Sequence, residues 1–195
     1  AGFQSGEPVR EKEGNSAFQD LMYILTLESA AGMERAFGIP SMADHYMQIA
    51  SAIRGTIRTK YWDAARGLFA DTYDHRSFSQ HVNSLAILAG IVAGEEATEV
   101  MERTLNDPSL IQATIYFRYY VHQALKAAGM GDRLLDNMQI WRDQMALGLT
   151  TWAEMPEPTR SDCHAWGASP NIEFFRILLG IDSNAPGFKS VRIAP

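Results

Sequence analysis

Apolar residues recur at intervals of three and four positions along most of the chain, and this spacing is typical of amphipathic α-helices. The first segment predicts a helix that Ser16 and Gln19 begin as a capping box and that Gly38-Ile39-Pro40 ends. A second helix follows, with Ser41 as its expected cap, and continues to about Tyr61. The two apolar stripes are Phe18, Leu21, Met22 and Leu25, and Met42, Tyr46, Ile49, Ile53 and Ile57. Together they predict one helical hairpin.

The same spacing predicts two further hairpins. A loop from Asp63 to Arg76, with a short extended turn, precedes a helix that Ser77 and Gln80 cap and that Gly94 ends. A short partner helix follows, and Asp107-Pro108 begins the third pair as a cap followed by proline. The stripes are Leu85, Leu88 and Val92; Ala97, Val100, Met101 and Leu105; Phe117, Val121, Ala124 and Leu125; and Leu134, Met138, Trp141 and Met145.

The last part of the chain predicts a long loop, a seventh helix and a short strand. Residues 146–169 have no periodicity, and Val191-Arg192-Ile193 alternates like a strand. The seventh helix stops near Gly180 and has no partner; its apolar face carries Phe174, Phe175, Leu178 and Leu179. An unpaired apolar helix indicates that more chain completes the fold. Stacked hairpins form open solenoids or closed toroids, and unequal hairpin lengths without a fixed repeat favour the toroid.

Composition and charge exclude several classes of function. The 195 residues suffice for one domain with its own core, and 46% are hydrophobic and 21% charged. The net charge of −6 comes from intermingled charges, so we expect neither a nucleic-acid partner nor an anionic membrane partner. No apolar run approaches the length of a membrane span. The single Cys163 excludes an internal disulfide and a multi-cysteine zinc site.

The beginning of the sequence leaves the compartment open. The first fifteen residues are polar and contain no apolar segment of a signal peptide. Ala1 stands where an initiator Met would, which fits either processing or a piece of a longer polypeptide. Periplasm and cytoplasm both tolerate one buried thiol, so the localisation is unknown.

The densest candidate chemistry lies in the loop without periodicity. Thr150-Thr151-Trp152-Ala153-Glu154 and Ser161-Asp162-Cys163-His164-Ala165-Trp166-Gly167 bring a glutamate, a histidine and two tryptophans into a short stretch. Sugars suit this mixture, because tryptophan rings stack on the apolar C–H face of a pyranose and polar side chains bind its hydroxyls. The structural alternative makes Trp152 and Trp166 core aromatics, Glu154 a solvated acid and His164 a capping residue.

A second polar cluster lies at the start of the third predicted helix. His81 and Asn83 occupy its first turns, where toroid pockets are lined, although His81 also falls on the apolar stripe with Leu85. Asn15 and Asp20 begin the first helix and are candidates for the same pocket, with helix capping the simpler account of Asn15. The sequence has no glycine-rich phosphate loop, no His-Glu-x-x-His pair and no Gly-x-Ser-x-Gly elbow.

The two loop motifs carry a resemblance to a known family. Thr150 to Glu154 and Ser161 to Trp166, followed by Leu179-Gly180-Ile181 and Pro186 to Pro195, resemble the C-terminal end of the bacterial α-L-rhamnosidases. Ser77 to Asn83 shares the likeness. Those enzymes are six-hairpin (α/α)₆ glycosidases, so the resemblance implies an all-α fold of helical hairpins with a short C-terminal β-strand. Residues 1–180 would form the C-terminal part of the catalytic toroid, and 181–195 the start of a β segment.

The resemblance also implies a mechanism. The family inverts configuration with two carboxyl groups about 6.5–9.5 Å apart, one protonating the leaving oxygen and the other activating water. By motif position, Glu154 is the general base, His164 binds rhamnose, and the two tryptophans are pocket walls. The substrate-binding candidates are Trp152, His164, Trp166, His81, Asn83, Asn15 and Arg160. The implied partners are a rhamnose-containing oligosaccharide or glycoside and the remainder of the parent chain, without metal or cofactor.

One departure from the family bears on activity. The family's general acid lies in a carboxylate-rich segment upstream, and nothing in this sequence resembles it. Each positioned proton transfer contributes about 10²–10⁴-fold, so we expect the isolated chain to be inactive. Three alternatives stay open: another six-hairpin glycosidase, a polysaccharide lyase using His81 and a tyrosine, and a non-catalytic helical binding module. Convergence of Trp152, Glu154 and His164 with His81 on one concave face would distinguish them.

Overall fold

The computed structural model describes residues 14–155, 158–159 and 161–195, which fold into helical hairpins with a few short strands. The α-helices are α1 (Ala17–Phe37), α2 (Pro40–Lys60), α3 (Gln80–Leu88), α4 (Gly94–Asn106), α5 (Ile115–Ala127), α6 (Gln139–Ala146) and α7 (Pro170–Glu173). The strands are β1 (Trp62–Asp63), β2 (Leu68–Phe69), β3 (Ile181–Ser183) and β4 (Val191–Ile193). Tight 3₁₀ turns cover Gly131–Asn137, Ala165–Ala168 and Pro186–Phe188, and a π-helical turn, Phe174–Leu178, continues α7. The predicted all-α class with helical hairpins is confirmed.

The helices lie in two rows. α1 packs against α2, and α3 packs against α4, while α3 also contacts both α1 and α5. Every residue of α3 from Gln80 to Ile87 is buried, as expected for a helix surrounded on all sides. Thus α1, α3 and α5 form one row, α2 and α4 form the other, and the main hydrophobic core lies between them.

The first hairpin begins at its predicted cap, Ser16, but its second helix has a different cap. The Oγ of Ser16 accepts a hydrogen bond from the backbone N–H of Gln19 at 3.4 Å. α2 starts at Pro40 after Ile39, which makes no side-chain capping bond, so the expected cap at Ser41 is wrong. Proline suits the first helical position because its missing N–H would have no intrahelical partner there.

The start of α3 lies two residues after the predicted cap. The Oγ of Ser79 accepts from the backbone N–H of Val82 at 3.2 Å, so the predicted Ser77–Gln80 capping pair is wrong. Ser77 is used elsewhere, because its hydroxyl donates to Oδ2 of Asp71 at 2.6 Å. Asp71 is fully buried and also accepts from the Ser79 hydroxyl at 2.6 Å. This carboxylate therefore fixes the loop before α3.

Two further boundaries differ from the sequence prediction. α3 ends at Leu88 because Gly90 takes a left-handed backbone conformation, with φ of 65°, well before the predicted end at Gly94. Asp107 does not cap a new helix: its carboxylate accepts the backbone N–H of Ser109 at 2.9 Å in a local turn. Ile111 then forms an isolated parallel bridge with Ser79 before α5 begins.

The third hairpin is interrupted where one continuous helix is predicted. Its second half consists of the turn Gly131–Asn137 followed by α6. Leu134, Met138 and Trp141 are buried in a second, smaller core, whereas Met145 is 55% exposed. The apolar spacing therefore identifies the buried face but not the break in the helix.

α7 and the strands after it form the last part of the chain. The predicted stripe lies largely at the surface: Phe174, Phe175 and Leu179 are exposed, and Leu178 packs on the second core. β3 and β4 pair antiparallel, which confirms the strand predicted near residue 191. The division at residue 180 stays a prediction. Among the residues described, none of the helices has the length and apolar character needed to cross a membrane.

Candidate active site

Glu154 lies in an extended segment that runs beside the second loop motif. Its backbone N–H donates to the carbonyl of Ser161 at 2.9 Å, and the N–H of His164 donates to the carbonyl of Trp152 at 2.8 Å. The two segments therefore run side by side in opposite directions, like a short antiparallel pair. The two motifs singled out in the sequence are thus brought together by backbone hydrogen bonds.

The Glu154 carboxylate is buried beside an imidazole. Glu154 is 3% exposed, and its Oε1 lies 3.8 Å from Nε2 of His164. That distance is too long for a hydrogen bond but short enough for an electrostatic contact if the ring is protonated. The His164 side chain is 23% exposed, whereas that of Glu154 is 1% exposed, so the imidazole lies between the carboxylate and solvent.

An aromatic wall continues from His164. Its ring lies 4.2 Å from that of Trp166, which in turn contacts Tyr116 at 5.2 Å in an edge-to-face arrangement. Nδ1 of His164 and Nε1 of Trp166 are buried without a hydrogen-bond partner among the described residues. Such atoms are uncommon in folded proteins and call for an explanation. Trp166 also borders a cleft of about 330 Å³ whose wall includes Tyr116, Tyr119, Tyr120 and Ser169.

Trp152 faces a different space from Trp166. It borders an apolar cavity of about 240 Å³ together with Met138, Trp141 and Phe174. Both tryptophans also pack on the second core. The Glu154 segment is therefore anchored by aromatic burial as well as by backbone hydrogen bonds.

His81 is embedded in the main core. Its ring lies 4.3 Å from that of Phe117 and 6.3 Å from that of Phe18, and it is 3% exposed. Burial, and secondarily the charge of Arg118, lowers the pKa of His81 to about 4. Ring contacts lead from His81 to His164 through Phe117, Tyr120, Tyr116 and Trp166. His81 itself is packed among apolar rings, which favours the structural interpretation.

The other substrate-binding candidates differ in position. Asn83 is fully buried: its amide nitrogen donates to the carbonyls of Phe69 and Ser79 at 3.0 Å, and its oxygen accepts from the N–H of Phe69 at 2.8 Å. It thereby joins β2 to α3, and its role in substrate binding stays a prediction. Asn15 is half-buried just before α1. Arg160 lies outside the described residues.

Asp20 belongs to a polar pair that the sequence does not reveal. The hydroxyl of the fully buried Tyr61 donates to Oδ2 of Asp20 at 3.1 Å. Burial raises the pKa of Asp20, and the hydrogen bond from Tyr61 opposes that rise. Burial, followed by the charge of Asp20, raises the pKa of Tyr61. The pair connects α1 with the end of α2.

The low pKa of His81 predicts a pH-dependent stability. The unfolded chain binds a proton at this side chain below its usual pKa of 6.5, whereas the folded chain does so only near 4. Lowering the pH from 6.5 to 4 therefore removes stability, at about 1.4 kcal/mol per pH unit and about 3 kcal/mol in total, with no further loss below. We expect His81→Phe to remove this part of the pH dependence in urea unfolding measured between pH 7 and pH 5.

Exposed His45 provides the matched control. His45→Gln should leave the slope of stability against pH as it is in the wild type. Equal slopes for His81→Phe and the wild type would mean that folding leaves the pKa of His81 unchanged, which would contradict this prediction.

No metal site is apparent in the described part of the chain, where no group of three or more His, Cys, Asp or Glu side chains is arranged to hold an ion. Cys163 is a free, exposed thiol.

Two solved structures are similar to this chain. A GH78 family rhamnosidase of Bacillus sp. GL1 matches 93% of the chain with a TM-score of 0.82 and 26% identity. A rhamnosidase from Klebsiella oxytoca, solved with rhamnose bound, matches 91% with a TM-score of 0.75 and 20% identity. The chain spans only 21% of the first structure and 39% of the second. The sequence matches no protein-family model and no curated protein.

The second similarity, at 20% identity, concerns the fold alone, whereas the first combines fold with a somewhat closer sequence. Both agree with the family resemblance of the motifs around Glu154 and His164. The fold of this chain is therefore similar to that of GH78 rhamnosidases over a part of their length, which supports a glycoside hydrolase-like fold.

Proposed function

We propose that this chain forms part of an inverting glycoside hydrolase that removes terminal α-L-rhamnose, with Glu154 as the general base. The observation that carries the proposal is the position of Glu154: a buried carboxylate beside His164 and Trp166, where the two motifs meet. A general base has to be held within reach of the water it activates. The Glu154 carboxylate is held in one position beside His164 and Trp166 by its paired backbone, as a general base requires.

The neighbouring groups suit a sugar. The ring of Trp166 borders the cleft beside Tyr116 and offers an apolar face to a pyranose. The more similar of the two structures is a GH78 family rhamnosidase, which supports this sugar for the present chain.

The rest of the catalytic machinery would come from a longer protein. The chain spans a minor part of both similar structures, which supports a parent in which further chain supplies the general acid. We propose that residues 1–180 belong to an (α/α)₆ toroid, of which the rows α1–α3–α5 and α2–α4 are a sector, and that 181–195 begin a β segment. The isolated chain would then be inactive.

Two alternatives fit the geometry less well. A lyase would need His81 as an accessible base, yet His81 is buried between Phe18 and Phe117. A non-catalytic module would disperse Trp152, Glu154 and His164, yet Glu154 and His164 lie beside each other on two paired segments.

The proposal is tested with the natural polypeptide that contains these 195 residues, which we term the parent protein. We expect it to hydrolyse an aryl α-L-rhamnoside and to release β-L-rhamnose first, as followed by proton NMR during the first turnovers. Initial release of the α anomer would contradict inversion. It would make Glu154 a nucleophile and not a general base. Cleavage of other aryl glycosides but not of rhamnosides would leave a hydrolase with a different sugar.

A further inference from the structure

α6 carries a polar residue at a position where the core would take an apolar one. In this helix the buried side chains are Trp141 and Gln144, three residues apart on one face. Gln144 is 6% exposed. Burying an amide side chain is unfavourable unless its polar atoms are hydrogen-bonded, so the partners of Gln144 indicate what it does.

Both polar atoms of Gln144 bind the residue next to Glu154. Its Oε1 accepts from the backbone N–H of Ala153 at 2.9 Å, and its Nε2 donates to the carbonyl of Ala153 at 3.3 Å. The side-chain amide thus pairs with Ala153 as a neighbouring strand would. Trp141 binds the second motif of the loop, because its Nε1 donates to the carbonyl of Gly167 at 2.7 Å.

The hydrogen bonds of the Glu154 segment alternate between its two edges. In an extended chain the N–H and C=O of one residue point to one side, and those of its neighbours point to the other. Ala153 points to Gln144, while the carbonyl of Trp152 and the N–H of Glu154 point to the segment that contains His164. The segment is therefore held along both edges, so the backbone at Glu154 cannot reorient without breaking some of these bonds.

We propose that Gln144 is a positioning residue for Glu154, fixing the backbone from which the carboxylate extends toward His164. This inference rests on the proposed function of Glu154. A displacement of about 1 Å in a reacting group can cost about 100-fold in rate. Both polar atoms of Gln144 are bonded to the backbone of Ala153, so we expect its effect to fall on the chemical step.

The first test is Gln144→Met in the parent protein. Methionine keeps the length and the apolar stem of the side chain but makes neither bond to Ala153. We expect kcat for an aryl α-L-rhamnoside to fall about 100-fold, with KM changed less than about threefold, because the aromatic walls that bind the sugar are retained.

The second test is Gln144→Glu, assayed as a function of pH. A protonated carboxylic acid has one donor and one acceptor and can reproduce both bonds, whereas an ionised carboxylate cannot donate to the carbonyl of Ala153. Burial raises the pKa of a carboxyl group, which brings this change into an accessible pH range. We expect the ratio of variant to wild-type kcat to rise as the pH falls. The ratio is used because Glu154 titrates as well.

Gln139 on the same helix is the matched control, since its side chain is exposed and bonds to Asp143 at 2.6 Å. Gln139→Met should retain wild-type kcat. If the wild type is active and Gln144→Met has the same kcat, the role of Gln144 is refuted while the proposed function of Glu154 stands. Equal losses in both Gln144 variants at every pH would refute that role as well, because they would indicate a packing role. A parent protein that hydrolyses no rhamnoside would instead refute the proposed function, and this inference with it.

Discussion

Replacing Glu154 with glutamine is expected to lower turnover of an aryl α-L-rhamnoside by the parent protein about a thousandfold, within the range of about 10²–10⁴ for a positioned proton transfer. The amide has the shape of the carboxylate and fits the same buried space beside His164. It cannot accept a proton from water, so the base is lost while the pocket stays. Binding of L-rhamnose, followed by tryptophan fluorescence, should therefore persist.

Two further measurements make the Glu154 prediction specific. Glu95→Gln, at an exposed position in the first turn of α4, should leave turnover unchanged. Azide added to Glu154→Ala should yield a β-rhamnosyl azide, because a small anion can enter from the face where the base activates water. Normal turnover by Glu154→Gln would make this residue a loop acid beside structural tryptophans.

Hydrophobic spacing predicts those elements whose buried face repeats regularly. Leu21 and Ile57 are fully buried in the long helices α1 and α2, and Val121 is fully buried in α5, as their stripes indicate. Helix boundaries are less predictable because tertiary hydrogen bonds decide them. Ser77 has the right spacing for a cap but binds Asp71 instead, and that partner becomes apparent only when the loop is folded.

In the candidate site, too, contacts between residues close in sequence are predictable, whereas contacts between distant residues are not. Glu154 and His164 lie on one short loop, so their motifs predict their proximity. Glutamine is a residue type that usually lies at the surface, and only the fold shows that Gln144 is bonded to Ala153. The reverse holds for Asn83, which the sequence offers as a sugar ligand and the fold bonds to backbone. A polar residue has no intrinsic sign of whether its partner is a ligand, water or peptide.

The second large effect is expected at a buried pair that the sequence does not reveal. Nδ1 of His122 in α5 donates to Oε2 of Glu173 in α7 at 2.8 Å, and both side chains are fully buried. Removing one partner leaves the other without compensation, which costs about 3–5 kcal/mol. We therefore expect Glu173→Ala to lower the free energy of unfolding of the 195-residue chain by that amount, as measured by urea denaturation.

A control at the surface separates burial from mere ion pairing. Arg103 and Glu99 form an exposed pair on α4, with side chains 44% and 57% exposed. Such pairs contribute about 0–1 kcal/mol, so Glu99→Ala should change stability little. A loss for Glu173→Ala as small as that for Glu99→Ala would mean that water reaches the buried pair in solution.

Replacing both members of the buried pair should restore most of the loss. Nε2 of His122 and Oε1 of Glu173 have no hydrogen-bond partner among the described residues, so the pair already carries an unrecovered desolvation cost. His122→Leu combined with Glu173→Met should be nearer to wild-type stability than either single variant, which a double-mutant cycle measures directly.

The buried pair is also linked to the loop that contains Glu154. The ring of Trp141 lies 5.6 Å from that of His122, and Nε1 of Trp141 donates to the carbonyl of Gly167 in that loop. Loosening α7 in Glu173→Ala should therefore also loosen the loop that contains Glu154, detectable as faster hydrogen exchange of the Glu154 amide.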